Sequence, residues 1–352
     1  MQKTKRVIVE VFSYWLGVGS LKIRKLTIFE IAKPSMNIQT RLFSITLLLL
    51  LAVQSLIAQP LKDGEETLSV EGQSFELNVP KQDGLSGGHL QGIQLNNGTL
   101  IVSGSSKEFG YLAFFQLLAG EFKFLGTKKL AQSPFNHAGG FQVTDNWLAV
   151  GVEDPQGKRQ SIIQIIDIST FENISAPPVY TLQRKGEWKY STAGSVGLLK
   201  RENHFLLAVG SWDSKTIDFY RSNHLNPKSD DFAFEPWTTW DSREAIRKDW
   251  VSKSYGDYQS LQLTEDETGV YLSGFSRTSN GSNQIDVFLM KPSADPYTMM
   301  RKTATYSVQC NNDVTFRNGG GFSDFFDTPS ILAVGRNLFP GTRVQIFPIK
   351  DD

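Results

Sequence analysis

The chain has 352 residues, of which 40% are hydrophobic and 20% are charged, and this composition excludes a disordered or fibrous protein. Its 36 basic and 36 acidic residues balance, and no basic stripe runs along the chain, so nucleic acid is not expected as a partner. Cys310 is the single cysteine, which excludes an internal disulfide bond.

The first recognisable element is a hydrophobic segment that follows Met36. Arg41 precedes an apolar run over residues 42–53, and small residues follow near Ala58. This order of basic, apolar and small residues predicts a secretory signal peptide over residues 36–58, cleaved near Gln59. The alternative is a transmembrane anchor, which needs ~20 apolar residues, more than this run contains. The mature chain is therefore expected to have no membrane span.

Residues 1–35 precede this segment and are interpreted as a mis-called start, because a signal peptide normally lies at the N-terminus. An extended n-region is the alternative. Without the eight basic and two acidic residues before Gln59, 28 basic and 34 acidic residues remain, so the mature domain is acidic. An exported domain without disulfide bonds favours a secreted, periplasmic or extracellular protein of bacterial origin.

Residues 59–352 are predicted to form one domain, because a β-hairpin pattern recurs five times along them. Each unit has an alternating segment, a polar turn and a second apolar segment that ends in glycine. The terminal glycines are Gly104, Gly151, Gly210, Gly274 and Gly335. A third alternating segment follows in every unit, and a weaker fourth segment follows in most of them.

Five such units predict an all-β fold, a five-bladed β-propeller of four-stranded blades. The fifth unit lacks a fourth strand, which residues 74–79 at the N-terminal end are predicted to supply. A strand from the other end of the domain would close the ring and protect edges that otherwise aggregate. The chain resembles five-bladed propellers in general and carries no WD or Kelch signature. An open β-sandwich is the alternative architecture.

Alignment of the five units places one polar residue near the start of each inner strand. These residues are His89, His137, Thr192, Asp257 and Asn318. Inner strands surround the axis of a propeller, so we expect these side chains at the mouth of the central channel, where ligands bind. The alternative is a structural role, in which the same side chains brace neighbouring blades through hydrogen bonds.

No cofactor is predicted, with a metal ion as the alternative. His89, His137 and Asp257 offer two imidazoles and a carboxylate, a ligand set that suits Zn²⁺ or Fe²⁺. Asp257 belongs to the fourth unit, across the channel from the two histidines. Whether the three side chains reach a common ion is left open by the sequence.

The chain also resembles five-bladed glycosidases in its number of blades and its axial pocket. That resemblance implies a pair of carboxylates on either side of a glycosidic bond. The aligned column supplies only Asp257, and Glu153, Asp154 and Asp213 are interpreted as solvated charges in loops after second strands. No P-loop, nucleophile elbow or zinc-protease motif is present.

The longest segment between units, residues 232–258, contains three of the seven tryptophans, Trp237, Trp240 and Trp250. The spacing of Asp241 and Glu244 fits a capping box and predicts a short helix that covers a blade edge. The alternative is an aromatic platform beside the channel, on which sugar rings could stack.

These observations favour an exported propeller that acts as a binding or interaction module, with a small molecule, a carbohydrate or a protein as its partner. The alternative is a glycan-active or metal-dependent hydrolase that uses the same channel site. The first is preferred because the sequence predicts a clear scaffold and no clear catalytic set.

Overall fold

A computed structural model describes residues 64–68, 71–80, 85, 88–291, 295–311 and 313–349. The predicted signal peptide and residues 1–35 lie outside the described residues. Within the described ranges, no helix is both long and apolar enough to cross a membrane. This part of the chain consists of 21 β-strands, one five-residue helix, α1 (Phe171–Ser175), and two short 3₁₀ turns.

Two strands, β1 (Gly64–Leu68) and β2 (Gln73–Asn78), precede the first blade. Blade one contains β3 (Leu90–Asn96), β4 (Thr99–Ser105), β5 (Phe109–Leu118) and β6 (Glu121–Gln132). Blade two contains β7 (His137–Thr144), β8 (Trp147–Glu153), β9 (Gln160–Asp167) and β10 (Tyr180–Lys185). Blade three contains β11 (Ser195–Lys200), β12 (Phe205–Gly210), β13 (Thr216–Ser222) and β14 (Phe234–Asp241).

Blade four contains β15 (Ser260–Asp266), β16 (Gly269–Arg277), β17 (Asn283–Met290) and β18 (Met300–Val308). Blade five contains β19 (Val314–Phe325), β20 (Thr328–Gly335), β21 (Gly341–Pro348) and, as its outer strand, β2. The inner strands β3, β7, β11, β15 and β19 pack against one another in blade order, and β19 packs against β3. The predicted five-bladed propeller is therefore confirmed.

The N-terminal end of the domain closes the ring as predicted. β2 pairs antiparallel with β21, from Gln73 opposite Ile346 to Asn78 opposite Gly341. The side chain of Leu77 is fully buried in the core between blades one and five. The sequence did not predict β1, which pairs parallel with β18 and adds a fifth strand to the outer edge of blade four.

The inner strands approach one another very closely at the axis. A Cβ at Gly140 of blade two would lie 2.4 Å from the carbonyl oxygen of Gln259, which belongs to blade four. Only glycine therefore fits at this position. Blades two and four therefore touch across the axis. A cavity at one end of the propeller, which we call the cup, is lined by residues that include His89, His137 and Gln259.

A second layer of contacts joins the inner strands through glutamine side chains. The Oε1 atom of Gln142 accepts hydrogen bonds from the backbone N–H groups of Leu198 and Leu263, both at 2.8 Å. Its Nε2 atom donates to the carbonyl oxygen of Leu263 at 2.8 Å. Blade three has Gly197 at the equivalent position, where a Cβ would lie 3.4 Å from Oε1 of Gln142. The absence of a side chain there lets one glutamine link blades two, three and four.

The helix predicted from the Asp241 capping box is wrong. Residues 242–249 form turns, and Oδ1 of Asp241 accepts the N–H of Arg243 at 2.8 Å instead. The aromatic platform is wrong as well, because Trp240 and Trp250 are buried in the core between blades three and four. Their rings stack there at a centroid distance of 6.4 Å.

Candidate functional site

The cup has a volume of about 760 Å³ and is lined by residues from all five blades. It lies at the end of the propeller where the inner strands begin. Strand β2 and blade five supply one side of its rim, and the loops that lead into β3, β11 and β15 supply much of the rest.

His89 and His137 lie side by side in the cup, with ring centroids 5.2 Å apart and an angle of 55° between the ring planes. The buried amide of Gln91 lies between them. Its Nε2 atom contacts Nε2 of His89 and lies 3.2 Å from Nε2 of His137. In this amide orientation both Nε2 atoms act as acceptors, which puts the ring proton of each imidazole on Nδ1.

Glu153 orients the second imidazole. The Nδ1–H of His137 donates to Oε1 of Glu153 at 3.0 Å, and the N–H of Ala193 donates to Oε2 at 3.0 Å. The residue is only 2% exposed. The interpretation of Glu153 as a solvated loop charge is therefore wrong. It ends strand β8 directly opposite His137, so the two side chains share one face of the sheet.

Two β-bulges produce this arrangement. Strand β7 is bulged between Ala138 and Phe141, and strand β3 is bulged between Leu90 and Gly92. Without the first bulge, regular pairing back from the hairpin turn would place Asp154 opposite His137. The second bulge falls at Gln91. Bulges re-aim side chains, and here they direct an acid and an amide toward the imidazoles.

Asp154, which was also interpreted as a solvated charge, is 8% exposed and has a structural role. Its Oδ1 atom accepts backbone N–H groups of Gln156 at 3.0 Å and Gly157 at 2.8 Å. Its Oδ2 atom accepts from the side chain of Gln160 at 3.2 Å. The carboxylate thus closes the loop between β8 and β9.

Three of the five predicted site residues line the cup, namely His89, His137 and Asn318. The hydroxyl of Thr192 is directed elsewhere, donating to the carbonyl oxygen of Lys189 at 3.2 Å. Asp257 is exposed and forms an ion pair with Lys215. The three predicted metal ligands are therefore not assembled in the cup. Within the described ranges, no group of three or more histidine, cysteine, aspartate or glutamate side chains could hold a metal ion.

Asp213 is a further acid at the cup, on the loop after β12. It is half-buried rather than freely solvated. Burial raises the pKa of its carboxyl, and the nearby charge of Asp257 adds to the effect. The neighbouring Trp212 also lines the cup, and the ammonium of Lys158 lies 3.6 Å from its ring centroid.

Four arginines line the cup, and they differ in their partners. Arg343 donates to Glu76 at 2.8 Å and to Asp313 at 3.1 Å. Arg277 donates through Nε to the carbonyl oxygen of Gly281 at 3.2 Å. The remaining two, Arg317 and Arg336, are exposed, and their guanidinium groups have no hydrogen-bond or ion-pair partner among the described residues.

These cations act on the first imidazole. Burial lowers the pKa of His89 to about 4, with contributions from His137, Arg336 and Arg317. At neutral pH His89 is uncharged, in agreement with the hydrogen-bond pattern around Gln91.

No protein-family model and no curated protein sequence matches this chain. Solved structures resemble it in fold only. The catalytic domain of the Coprinopsis cinerea α-L-arabinofuranosidase aligns with a TM-score of 0.43 and 12% identity, over 80% of this chain and 98% of that domain. The endo-arabinase from Bacteroides thetaiotaomicron gives a TM-score of 0.46 and 11% identity over 76% and 97%. The WD40 domain of Neurospora crassa Pan2 gives 0.40 and 8% over 82% and 99%.

Proposed function

We propose that the chain is an exported binding module that holds a small polar molecule in the cup. Export is the expectation from the segment before Gln59. N-terminal sequencing of the mature protein is expected to begin near Gln59, and a mature chain that retains Met1 would contradict export.

The observation that carries the binding proposal is the set of buried polar groups beneath the cup. Gln91 is 4% exposed and Asn318 is 7% exposed, and in this amide orientation Oε1 of Gln91 has no hydrogen-bond partner within the described part of the chain. Buried polar groups are normally paired, so a group left unpaired in a folded protein calls for an explanation such as a ligand. The volume of about 760 Å³ lies in the range of small-molecule sites.

The binding proposal is tested with a cup-filling variant, Gly194→Leu. A Cβ at Gly194 would lie 3.8 Å from the nearest atom, the carbonyl oxygen of Ser211, so the backbone accepts a side chain there. A library of neutral, cationic and anionic polar molecules is screened against residues 59–352 by ligand-observed NMR. We expect binding to the wild type to be lost in Gly194→Leu and kept in Glu267→Leu, an exposed control at the β15–β16 turn.

Two results would contradict the proposal. One is that no member of the library binds the wild-type domain. The other is that every molecule that binds does so equally well to Gly194→Leu, since its site would then lie outside the cup. The melting temperatures of both variants show whether each one is folded.

A glycan-active hydrolase is the second candidate, because four carboxyl groups line the cup and two of them, Glu153 and Asp213, are not paired with an arginine. The raised pKa of Asp213 suits a general acid, and a buried carboxylate such as Glu153 suits the partner role. We rank it second because both oxygens of Glu153 already accept hydrogen bonds from within the chain.

A polysaccharide panel assayed for released reducing ends separates the two candidates. Turnover by the wild-type domain that falls at least a hundredfold in Asp213→Asn, with binding retained, would establish the hydrolase. If the domain binds small molecules in the cup but turns over no polysaccharide, the result supports the binding module and contradicts the hydrolase.

A further inference from the structure

We infer that the ligand of the cup is an anion, held by the guanidinium groups of Arg317 and Arg336 and by the Nδ1–H of His89. This inference rests on the proposed binding function and specifies its ligand class. The chemical group is a carboxylate or a phosphate carried by a small polar molecule.

The charged side chains that line the cup differ in whether they have a partner. Arg343 pairs with two carboxylates, and Glu153 accepts hydrogen bonds from His137 and a backbone N–H. Three guanidinium groups and one carboxyl then remain among the charged side chains that line the cup. They are Arg277, Arg317, Arg336 and Asp213. The four arginines and four carboxyl groups that line the cup balance in formal charge, but Arg317 and Arg336 have no carboxylate partner among the described residues.

The two arginines without a partner supply hydrogen-bond donors. Each guanidinium of Arg317 and Arg336 presents a planar fork that matches the two oxygens of a carboxylate or phosphate. Neither fork has an acceptor among the described residues. The Gln91 amide fixes the proton of His89 on Nδ1, and that atom also has no partner among the described residues. These unused donors favour a ligand group that only accepts, while the unpaired Oε1 of Gln91 needs a donor, such as a hydroxyl, from the rest of the same molecule.

The arginines also influence the protonation of His89. The groups that face this imidazole are His137, Gln91, Arg317 and Arg336. Burial is the main cause of the low pKa of His89, and the charges of His137, Arg336 and Arg317 lower it further. An anion bound beside the two arginines offsets their contribution and raises the pKa of His89 above its value of about 4 in the free protein. Binding and protonation therefore favour each other, and affinity is expected to rise as the pH falls from about 6.5 toward 4.

The test compares glucuronate with glucose, two sugars of similar size that differ in charge, and adds inorganic phosphate as a second anion. Binding to residues 59–352 is measured by calorimetry at low and high salt. We expect glucuronate, phosphate or both to bind, glucose to bind at least tenfold more weakly, and the affinity for the anion to fall with added salt. The relative strength of the two anions distinguishes a carboxylate site from a phosphate site.

The double variant Arg317→Gln/Arg336→Gln is expected to lose at least tenfold in anion affinity and to abolish its pH dependence between 6.5 and 4. Arg201→Gln is the control. It makes the same substitution, with the loss of one positive charge instead of two, at a half-buried arginine on the β11–β12 turn, at the other end of strand β11, where the side chain pairs with Glu265. We expect its anion affinity to stay within about twofold of the wild type, because the lost charge is far from the cup.

The outcomes separate this inference from the binding proposal. One outcome is that neutral ligands bind only when the cup is open and keep their affinity in Arg317→Gln/Arg336→Gln. That result would contradict the inference that the ligand is an anion, but the binding proposal would stand. Failure of glucuronate, phosphate and every anion in the library to bind would also overturn the anion. If no molecule binds, neutral or charged, both the anion inference and the binding proposal are contradicted.

Discussion

The side chain of Lys302 is fully buried, and its ammonium lies 3.0 Å from the carboxylate of Asp286, which is also fully buried. The carboxylate accepts three more hydrogen bonds, from Tyr258, Gln284 and Thr305. Burial lowers the pKa of Lys302, and the charge of Asp286 opposes that effect. The pair joins strands β17 and β18 in blade four.

Replacing Lys302 by Met is expected to lower the free energy of unfolding by about 3–5 kcal/mol, because it leaves the charge of Asp286 buried without a cation. Urea denaturation of the mature domain measures the change. Lys123→Met is the control, since Lys123 pairs with Glu121 on the surface, and its unfolding midpoint should not move. An equal midpoint for Lys302→Met and wild type would contradict a charged buried pair.

At the residue scale, the sequence predicted part of the lining of the cup. His89, His137 and Asn318 could be found because repeat alignment places polar residues at equivalent positions, and the cup collects these three. Glu153 could not be found, because its position opposite His137 depends on a one-residue bulge that the repeat pattern does not show. Arg317 gave no signal either, since it lies in an irregular stretch of β19 where pairing skips from Thr315 to Gly320.

Among the elements, strand β2 has the largest effect on architecture, because it alone completes blade five. It covers the hydrogen-bonding edge of β21 and buries Phe75 and Leu77. Deletion of residues 74–79 should expose that edge and leave its ladder bonds unmade, so we expect loss of stability and concentration-dependent aggregation. Light scattering and thermal melting measure both effects. A deleted chain that remained monomeric with unchanged melting would contradict closure by β2.

Glutamine side chains link the inner strands of different blades through hydrogen bonds. Gln142→Ala removes three hydrogen bonds that join blades two, three and four, whereas Gln262→Ala removes two bonds to the backbone of Phe322. Buried backbone groups left without partners cost about 1–3 kcal/mol each, so Gln142→Ala should be the more destabilising. Chemical denaturation ranks the two variants. A smaller loss for Gln142→Ala would argue against the three-blade link.

Prediction of elements succeeded where alternation was strong. The third strand of each unit was recognisable because apolar residues point alternately into the cores between blades. Strand β1 was missed because its sequence, GEETL, is largely polar and its middle residues are exposed on the edge of blade four. The false helix arose because Asp241 caps a turn that continues into buried tryptophan packing, which local spacing does not distinguish from a helix start.

For the molecule as a whole, the five blades enclose a cup whose donors and charges come from separate parts of the chain. The four histidines fall into two groups that report on this arrangement. His89 and His137 line the cup, whereas His204 lies at the β11–β12 turn and His224 follows β13. A single spectrum of the imidazole nitrogens therefore contains two probes of the cup and two internal references.

The most direct test of the account is the imidazole ¹⁵N NMR spectrum of the mature domain, recorded with and without a ligand that requires an open cup. We predict an Nδ1–H tautomer for each of His89 and His137, a pKa of His89 near 4 in the free protein, and ligand-induced shifts confined to these two rings. Unchanged signals from both cup histidines, or shifts confined to His204 and His224, would contradict the cup as the functional site.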